Sequence, residues 1–173
     1  DNGNTWTSIT SNTGASAPSI SVDAGDIIQF RGYNDSYSSG NSRYNNFSGS
    51  TAGFNLKGNI MSLFDGDSFV SLDSFPEGST HNLRRFFQNA NVVDAENLVL
   101  PATALTSYCY SGMFSGCGSL TKAPSAIPAT VAGGYSCYYM CENCNALTQV
   151  PLLSATILEG RCYQGMFKGC SSL

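Results

Sequence analysis

The sequence predicts an α+β protein, in which a solenoid of short parallel strands and short helices is capped by a small amino-terminal all-β domain. Three observations lead to this fold class. Residues 98–173 repeat at offsets of 27 and 26 positions, glycine and asparagine alternate at one position of that repeat, and residues 1–60 lack the repeat. A period of this length is typical of solenoids, in which each unit buries its apolar face by stacking on its neighbours. We therefore place the domains at residues 1–70 and 71–173.

The amino-terminal domain is predicted from strand patterns. Residues 20–22 and 27–31 are candidate strands on either side of a turn at residues 24–26, and residues 54–60 are a later strand. The pattern Val-x-Ala-Gly-Asp-x-Ile-x-Phe, which starts at Val22, recurs in immunoglobulin-like sandwiches, so we expect an immunoglobulin-like domain. A domain at this place would cap the first repeat, whose apolar side is otherwise exposed.

Four repeat units are predicted in the second domain. They lie near residues 79–97, 98–124, 125–151 and 152–173, the last of them incomplete. Two alignment columns hold only large apolar side chains and are expected in the core. The first column contains Phe86, Met113, Met140 and Met166, and the second contains Val93, Leu120, Leu147 and Leu173. The chain stops where the next unit should begin, so we expect it to be a fragment of a longer protein.

Each unit is expected to contain a short helix followed by a short strand. One further column consists of Asn89, Gly116, Asn143 and Gly169. Glycine and asparagine enter the left-handed backbone region at low cost, and a residue in that conformation commonly ends a helix. The column therefore predicts a helix over residues 107–115 and, in the first unit, a helix capped by Ser79 or Thr80. Residues 120–123 would then form the strand, terminated by Pro124.

The repeated sequence resembles a known family. The run Leu-Val-Leu-Pro-Ala-Thr-Ala-Leu-Thr-Ser-Tyr-Cys-Tyr-Ser-Gly-Met-Phe-Ser-Gly-Cys, residues 98–117, is similar to the BspA-like leucine-rich repeats found in surface lipoproteins of anaerobic gut bacteria. The resemblance covers residues 76–173, and residues 50–75 are similar to the segment that precedes such repeats. The chain departs from the family pattern at Cys141, where phenylalanine is expected.

The resemblance implies an extracellular protein of the bacterial cell surface, anchored to the outer membrane in its full-length form, that binds a protein or glycan ligand in adhesion. It implies no catalytic residue and no cofactor. Two other functions stay open: a structural spacer that holds another domain away from the cell envelope, and a glycan-active enzyme. Such an enzyme would use paired carboxylates among Asp65, Asp67 and Asp73.

Composition narrows the range of partners. A net charge of −4 with only eight lysines and arginines argues against a nucleic-acid ligand. No apolar run approaches the ~20 residues of a transmembrane helix. We expect the protein to be a monomer. We also expect no metal site, because the only histidine, His81, is interpreted as an exposed helix residue and no second CxxC motif accompanies residues 141–144.

The seven cysteines all lie between residues 109 and 170. Cys141 and Cys144 have the CxxC spacing of redox and zinc sites, but Cys141 takes a phenylalanine position of the repeat. Cys144 shares its column with Cys117 and Cys170. We interpret these residues as buried structural thiols, which act as small apolar side chains. One disulfide between neighbours in the column is the alternative.

Two surfaces are candidates for ligand binding. The first is a loop rich in serine, glycine and asparagine that carries Tyr33, Tyr37 and Tyr44, a composition typical of adaptable antibody binding loops. The alternative is that these tyrosines pack on their own domain. The second surface is the exposed face of the repeat strands, which carries Lys122 and Gln149.

Overall fold

The computed structural model of the chain describes residues 20–34, 37, 46–47 and 50–173. Seven strands and two single-turn 3₁₀ helices form within these ranges. The strands are β1 (Phe54–Asn59), β2 (Val92–Val99), β3 (Ala104–Leu105), β4 (Ala126–Ile127), β5 (Val131–Ala132), β6 (Leu152–Leu153) and β7 (Ile157–Leu158). The 3₁₀ helices are Ile60–Leu63 and Phe69–Ser71, and the other described residues lie in turns, bends and loops.

All strand pairs are parallel, and those of the repeats join corresponding positions of successive units. β3, β5 and β7 form a three-stranded sheet, and β4 pairs with β6. Partner residues are 27 positions apart between β3 and β5 and 26 apart between β5 and β7, which are the offsets of the repeat. Single bridges join Asp94 to Lys122 and Lys122 to Gln149. The strand predicted over residues 120–123 is thus reduced to one bridging residue.

The first core column predicted from the repeat is confirmed. Its members are Phe86, Met113, Met140 and Met166, which are at most 3% exposed and belong to one core cluster. Backbone hydrogen bonds join neighbouring units at this level, as from the Phe114 amide to the Met140 carbonyl (2.8 Å). Successive units therefore share one interior.

The leucine column differs from its prediction at both ends. Leu120 and Leu147 are fully buried, as expected. The first unit is offset by 28 rather than 27 residues at this point, so Val92, and not Val93, is the fully buried member of the column. Leu173 lies on the outer side of the last unit and is 56% exposed, so its predicted core position is wrong.

The short helices predicted in the units are wrong. Residues 107–115 and their equivalents form successive turns, in four stretches that we call the turn segments: residues 81–89, 108–116, 135–143 and 161–169. In each turn segment the first, fifth and ninth residues have a positive φ, between 52° and 78°. The left-handed conformation predicted for the asparagine–glycine column is confirmed, but it recurs along a row of turns. Ser79 and Thr80 accordingly cap no helix.

Hydrogen bonding explains why turns replace helices. Within a turn segment, alternate amides donate to the carbonyl three residues earlier, as from Ser111 to Tyr108 (3.1 Å). The intervening amides donate to the next unit, as from Tyr110 to Ser136 (2.8 Å). A helix would use all of these amides within itself. The repeated left-handed residues instead turn every second amide toward the neighbouring unit, so that the backbone is satisfied and the units are joined.

The amino-terminal segment packs on the first unit without the strands that its sequence predicts. Residues 20–22 and 27–31 belong to no strand, whereas a turn is present at residues 24–25. The rings of Phe47 and Phe86 meet edge to face at 5.3 Å, and the Phe47 amide donates to the Phe86 carbonyl (2.8 Å). This contact covers the side of the first turn segment that faces away from the second unit. The immunoglobulin-like domain and the boundary at residue 70 stay predictions.

The strand predicted over residues 54–60 is confirmed as β1. It pairs in parallel with β2, with Phe54 beside Val92 and Asn59 beside Val99, and two register irregularities interrupt the pairing. The strand ends where the Asn59 side chain accepts a hydrogen bond from the Met61 amide (2.9 Å) and caps the first 3₁₀ helix. β1 therefore continues the parallel pairing of the units by one strand.

Candidate functional site

The outer side of the four turn segments forms one surface, which we call the turn face. Side chains at the second, third, sixth and seventh positions of a segment are mostly buried, whereas those at the first and eighth positions are half-buried or exposed. Hydrogen bonds between successive turn segments hold the backbones in register. Equivalent outward side chains therefore line up from one unit to the next.

A row of stacked side chains crosses the turn face at the first position of the segments. The rings of His81 and Tyr108 are 4.6 Å apart and within 5° of parallel, and those of Tyr108 and Tyr135 are 4.7 Å apart and within 10°. Arg161 ends the row with its guanidinium 5.6 Å from the Tyr135 ring centre. Burial, and then the charge of Arg84, lowers the pKa of His81, which stacks as a neutral ring near pH 7. The spacing of the stacked rings matches the ~4.8 Å between paired strands.

A notch opens in the turn face where the second unit has small residues. Its floor consists of Ser111, Gly112 and Ser115. Its walls are Arg84, Arg85 and Gln88 from the first unit and Tyr138, Tyr139 and Glu142 from the third. The notch has a volume of about 90 Å³. Pockets that enclose a small molecule measure ~300–1,000 Å³, so the notch is sized for one polar group of a larger ligand.

Glycines at the fifth position of the segments allow the notch walls to pack. This position holds, unit by unit, Arg85, Gly112, Tyr139 and Gly165. A Cβ on Gly112 would lie 3.2 Å from Cγ of Arg85, and a Cβ on Gly165 would overlap the Tyr139 ring. Each large side chain therefore lies over the glycine of the following unit. This packing holds the stem of Arg85 against the notch floor.

Positive charge is concentrated on the turn face. Four of the eight lysines and arginines fall in the turn segments: Arg84, Arg85, Arg161 and Lys168. Glu142 is the single carboxylate in these segments. It pairs with Lys168 (Nζ to Oε1, 3.1 Å), and the hydrogen bond to Glu142 raises the pKa of Lys168. The turn face is therefore positive although the whole chain has a net charge of −4.

The tyrosines predicted to bind a ligand contact the protein itself where they are described. Tyr37 packs edge to face on Phe86 (5.2 Å), its hydroxyl donates to a backbone carbonyl (2.7 Å), and burial raises the pKa of Tyr37. Tyr33 is 63% exposed, and its hydroxyl donates to Asp67. Tyr44 lies outside the described residues. Tyr37 thus packs on both sides of the boundary predicted at residue 70, with its ring on Phe86 and its hydroxyl on the Leu63 carbonyl.

The structure brings Lys122 and Gln149 together around a residue that the sequence did not single out. Lys122 Nζ lies 2.6 Å from one carboxylate oxygen of Glu96, and the Gln149 amide donates to the other oxygen (3.2 Å). These hydrogen bonds, first from Lys122, lower the pKa of Glu96, and the same contact raises the pKa of Lys122. The turn face has a notch beside its aligned side chains, and we therefore take it as the stronger candidate site.

Two of the three aspartates considered for catalysis have structural side-chain contacts. Asp67 forms an ion pair with Arg31 (2.6 Å), and the Asp65 side chain accepts a hydrogen bond from the Ser68 amide (3.3 Å). Asp73 is exposed. Across the described part of the chain, no group of three or more histidine, cysteine, aspartate or glutamate side chains is placed to hold a metal ion.

All seven cysteines are free thiols in the structure. The thiols of Cys117 and Cys144 donate to carbonyl oxygens in the preceding unit, at 3.0 and 3.1 Å, and the Cys170 thiol does the same at 3.0 Å. A hydrogen bond with Cys144, and then burial, raises the pKa of Cys141. The CxxC pair therefore lies in the core with protonated Cys141, in agreement with the interpretation of structural thiols.

We expect alkaline pH to destabilise the protein through its buried thiols. Burial raises the pKa of Cys117 and of Cys137 to about 12, from the ordinary 9.0. The stabilising effect is complete below pH 9, where both states are protonated, and is lost as the pH rises toward 12, because the unfolded state ionises first. Each thiol should cost about 2 kcal/mol of unfolding free energy at pH 10.5. Urea unfolding in reductant at pH 8 and 10.5 measures this loss.

The control for the thiol effect is Cys117→Ala. This variant should lose less stability than the wild type over the same pH interval, by about the contribution of one thiol. Equal losses in the two proteins would show that ionisation of Cys117 does not contribute.

The sequence contains a signal for the turn face, but the predicted helices obscured it. Tyr108 and Tyr135 share a repeat column with His81 and Arg161, and all four side chains can stack. Packed helices lie ~8–10 Å apart, which is too far for rings on equivalent positions to touch. Turn segments joined by backbone hydrogen bonds approach to strand spacing, ~4.8 Å, and this brings the rings into contact.

No protein-family model matches the chain, and no curated protein or solved structure matches it. Within the described ranges, no helix has the length and apolar character that crossing a lipid bilayer requires.

Proposed function

We propose that this protein is a non-enzymatic binding module of a bacterial cell surface, and that it recognises a protein or glycan ligand through the turn face. The units would form a monomeric solenoid of the BspA-like leucine-rich-repeat type. The resemblance of residues 98–117 to such repeats supports this proposal.

One observation carries the proposal: polar, aromatic and charged side chains are aligned on one surface around a notch. The stacked row and the walls of the notch are held by contacts within the protein, such as the 4.7 Å stacking of Tyr108 on Tyr135. A ligand that meets such a surface has few side chains to order, so little conformational entropy is lost on binding. A surface that served only as a spacer would not need aligned binding groups.

The proposal is tested by ligand screening with variants of two surfaces. The immobilised protein is screened against a glycan array and a panel of purified extracellular glycoproteins, and the ligand found is titrated by calorimetry. Tyr138→Ala, in the notch wall, should weaken binding by at least about tenfold, since aromatic side chains often dominate interface energetics. Gln149→Ala, on the strand surface, should leave the affinity unchanged.

Thermal unfolding of both variants controls for loss of fold. If nothing in either panel binds the wild type, the protein is a spacer and the proposal is wrong. It is equally wrong if Gln149→Ala abolishes binding while Tyr138→Ala does not, because the strand surface would then be the binding site.

A further inference from the structure

We propose that the ligand of the turn face is an anionic polysaccharide, whose carboxylate or sulfate groups are held by the notch and by the basic side chains on either side of it. This inference rests on the proposed binding function and names the chemistry of the ligand.

Positive charge is spread along the turn face. The first unit contributes Arg84 and Arg85 beside the notch, and the last unit contributes Arg161, whereas the charge of Lys168 is balanced by its ion pair with Glu142. Three unit spacings separate Arg85 from Arg161, about 14 Å at the spacing of paired strands. Positive charge therefore spans more than one ligand group. The face suits an extended chain that carries several anions and not a single small ion.

The notch has the chemistry of an oxyanion site. Its lining includes Arg85, the buried Arg84 and the hydroxyl-bearing Ser111 and Ser115, and both arginines also have contacts within the protein. Guanidinium groups bind carboxylate and sulfate-like oxyanions with paired hydrogen bonds, and hydroxyls donate to the same oxygens. The one carboxylate of the lining, Glu142, is paired with Lys168 and so adds little repulsion. With a volume of about 90 Å³, the notch admits one such charged group.

The lack of an apolar centre on the turn face favours a polysaccharide over a protein partner. Protein interfaces have an apolar core surrounded by a polar rim. Among the described residues, every large apolar side chain classed as exposed lies outside the turn segments, for example Val70, Leu152 and Ile157. The faces of the Tyr108 ring are covered by the neighbouring rings of the stack, which leaves its edge for contact. The turn face thus offers hydrogen-bond donors and charge without an apolar centre.

The experiment measures binding to four polymers by calorimetry at low salt. Polygalacturonate carries carboxylates, dextran sulfate carries sulfate esters, dextran is the uncharged control, and polyglutamate represents an acidic protein. We expect one of the two acidic polysaccharides to bind, and the one that binds identifies the anionic group. Dextran should not bind, and polyglutamate should bind at least about tenfold more weakly. Salt at 0.5 M should weaken the interaction at least about tenfold, because exposed charges are screened.

Two pairs of variants locate the site. Ser115→Glu places a negative charge in the notch, and Ser115→Gln places a neutral group of the same size there. We expect the glutamate variant to bind at least about tenfold more weakly than the glutamine variant, because only glutamate repels the anionic ligand. Arg85→Gln should weaken binding, whereas Lys122→Gln, which removes the same charge on the strand surface, should not. Circular dichroism and thermal unfolding confirm that each variant is folded.

The inference is overturned if dextran binds as well as its sulfate and polygalacturonate, if polyglutamate binds most tightly, or if Ser115→Glu and Ser115→Gln behave alike. It is also overturned if the screen finds a ligand but no acidic polysaccharide binds, and the proposed binding function then still stands. If nothing binds in the screen or in this experiment, both proposals are wrong.

Discussion

Replacing Phe114 with alanine is expected to lower the free energy of unfolding by about 3–5 kcal/mol, the range for a fully buried phenylalanine. Phe114 is 0% exposed and belongs to the core cluster shared by the units. Its ring stacks on Phe87 in the preceding unit, with ring centres 5.6 Å apart and planes within 11°. Removing the ring leaves a cavity between two units, and the hydrogen-bonded turn segments on both sides limit how far the backbone can collapse into it. Urea unfolding measures the loss.

The matched control is Phe167→Ala. Phe167 occupies the same column in the last unit but is only partly buried against the core. Its replacement should cost clearly less than that of Phe114, because less apolar surface returns to water in the variant. Equal losses for the two variants, or a loss below about 1 kcal/mol for Phe114, would contradict the shared interior on which the fold rests.

Replacing Gly133 with alanine is expected to destabilise the protein by about 2–3 kcal/mol, at the upper end of the range for overpacking. A Cβ at this position would overlap the carbonyl oxygen of Leu105 in the preceding unit, and it would lie 3.3 Å from the carbonyl carbon of Thr106. The Gly133 amide donates to the same Leu105 oxygen (3.0 Å). The neighbour is backbone and cannot rotate away, so the hydrogen bond between β5 and β3 must lengthen or the units must separate.

The adjacent glycine supplies the control. A Cβ on Gly134 would meet nothing closer than the Gly160 carbonyl oxygen at 3.6 Å, which is an ordinary contact. Gly134→Ala should change the unfolding free energy by no more than about 0.5 kcal/mol. Thermal and urea unfolding of the two variants, side by side, measure the difference. If Gly134→Ala were as damaging as Gly133→Ala, the close approach of the units at β3 and β5 would be wrong.

Repetition in the sequence predicted most of the interior correctly, although it failed at Val93 and Leu173. Met113 and Met140 are equivalent in the alignment and equally buried in the structure. The alternation at the ninth position also predicted the left-handed residues correctly, since Asn89 and Gly116 both have a positive φ. These predictions succeed because equivalent positions in stacked units have the same burial and the same sign of the φ angle.

The same alternation has a second cause that the sequence does not reveal. A Cβ on Gly116 would overlap the side-chain oxygen of Asn89, and one on Gly169 would overlap that of Asn143. The asparagine side chain in one unit thus occupies the space of a Cβ in the next, which favours glycine at that position. A local helix-ending rule explains the residue types but not their order along the units, which depends on contacts between units.

The sequence also predicted the candidate binding residues only in part. Tyr33 and Tyr37 were predicted to bind a ligand because of the composition of the loop that carries them. Tyr37 packs on Phe86 of the first unit, and the sequence around Tyr37 contains no sign of that contact. Lys122 and Gln149 were placed on one surface correctly, since both are bridged in one row, but their common partner Glu96 lies in a different unit. The repeat aligns equivalent positions, and it does not show which other residues meet them.

The amino-acid sequence alone determined the period of the units, their apolar columns and the positions of the left-handed residues, because each of these follows from the chemistry of single side chains repeated at a fixed interval. Only the three-dimensional arrangement decided that the turn segments are not helices, because every second amide bonds to a carbonyl 25 or 26 residues away instead of one in its own unit. That choice sets the distance between units, and the stacked row of Tyr108 and Tyr135 and the notch beside it follow from that distance.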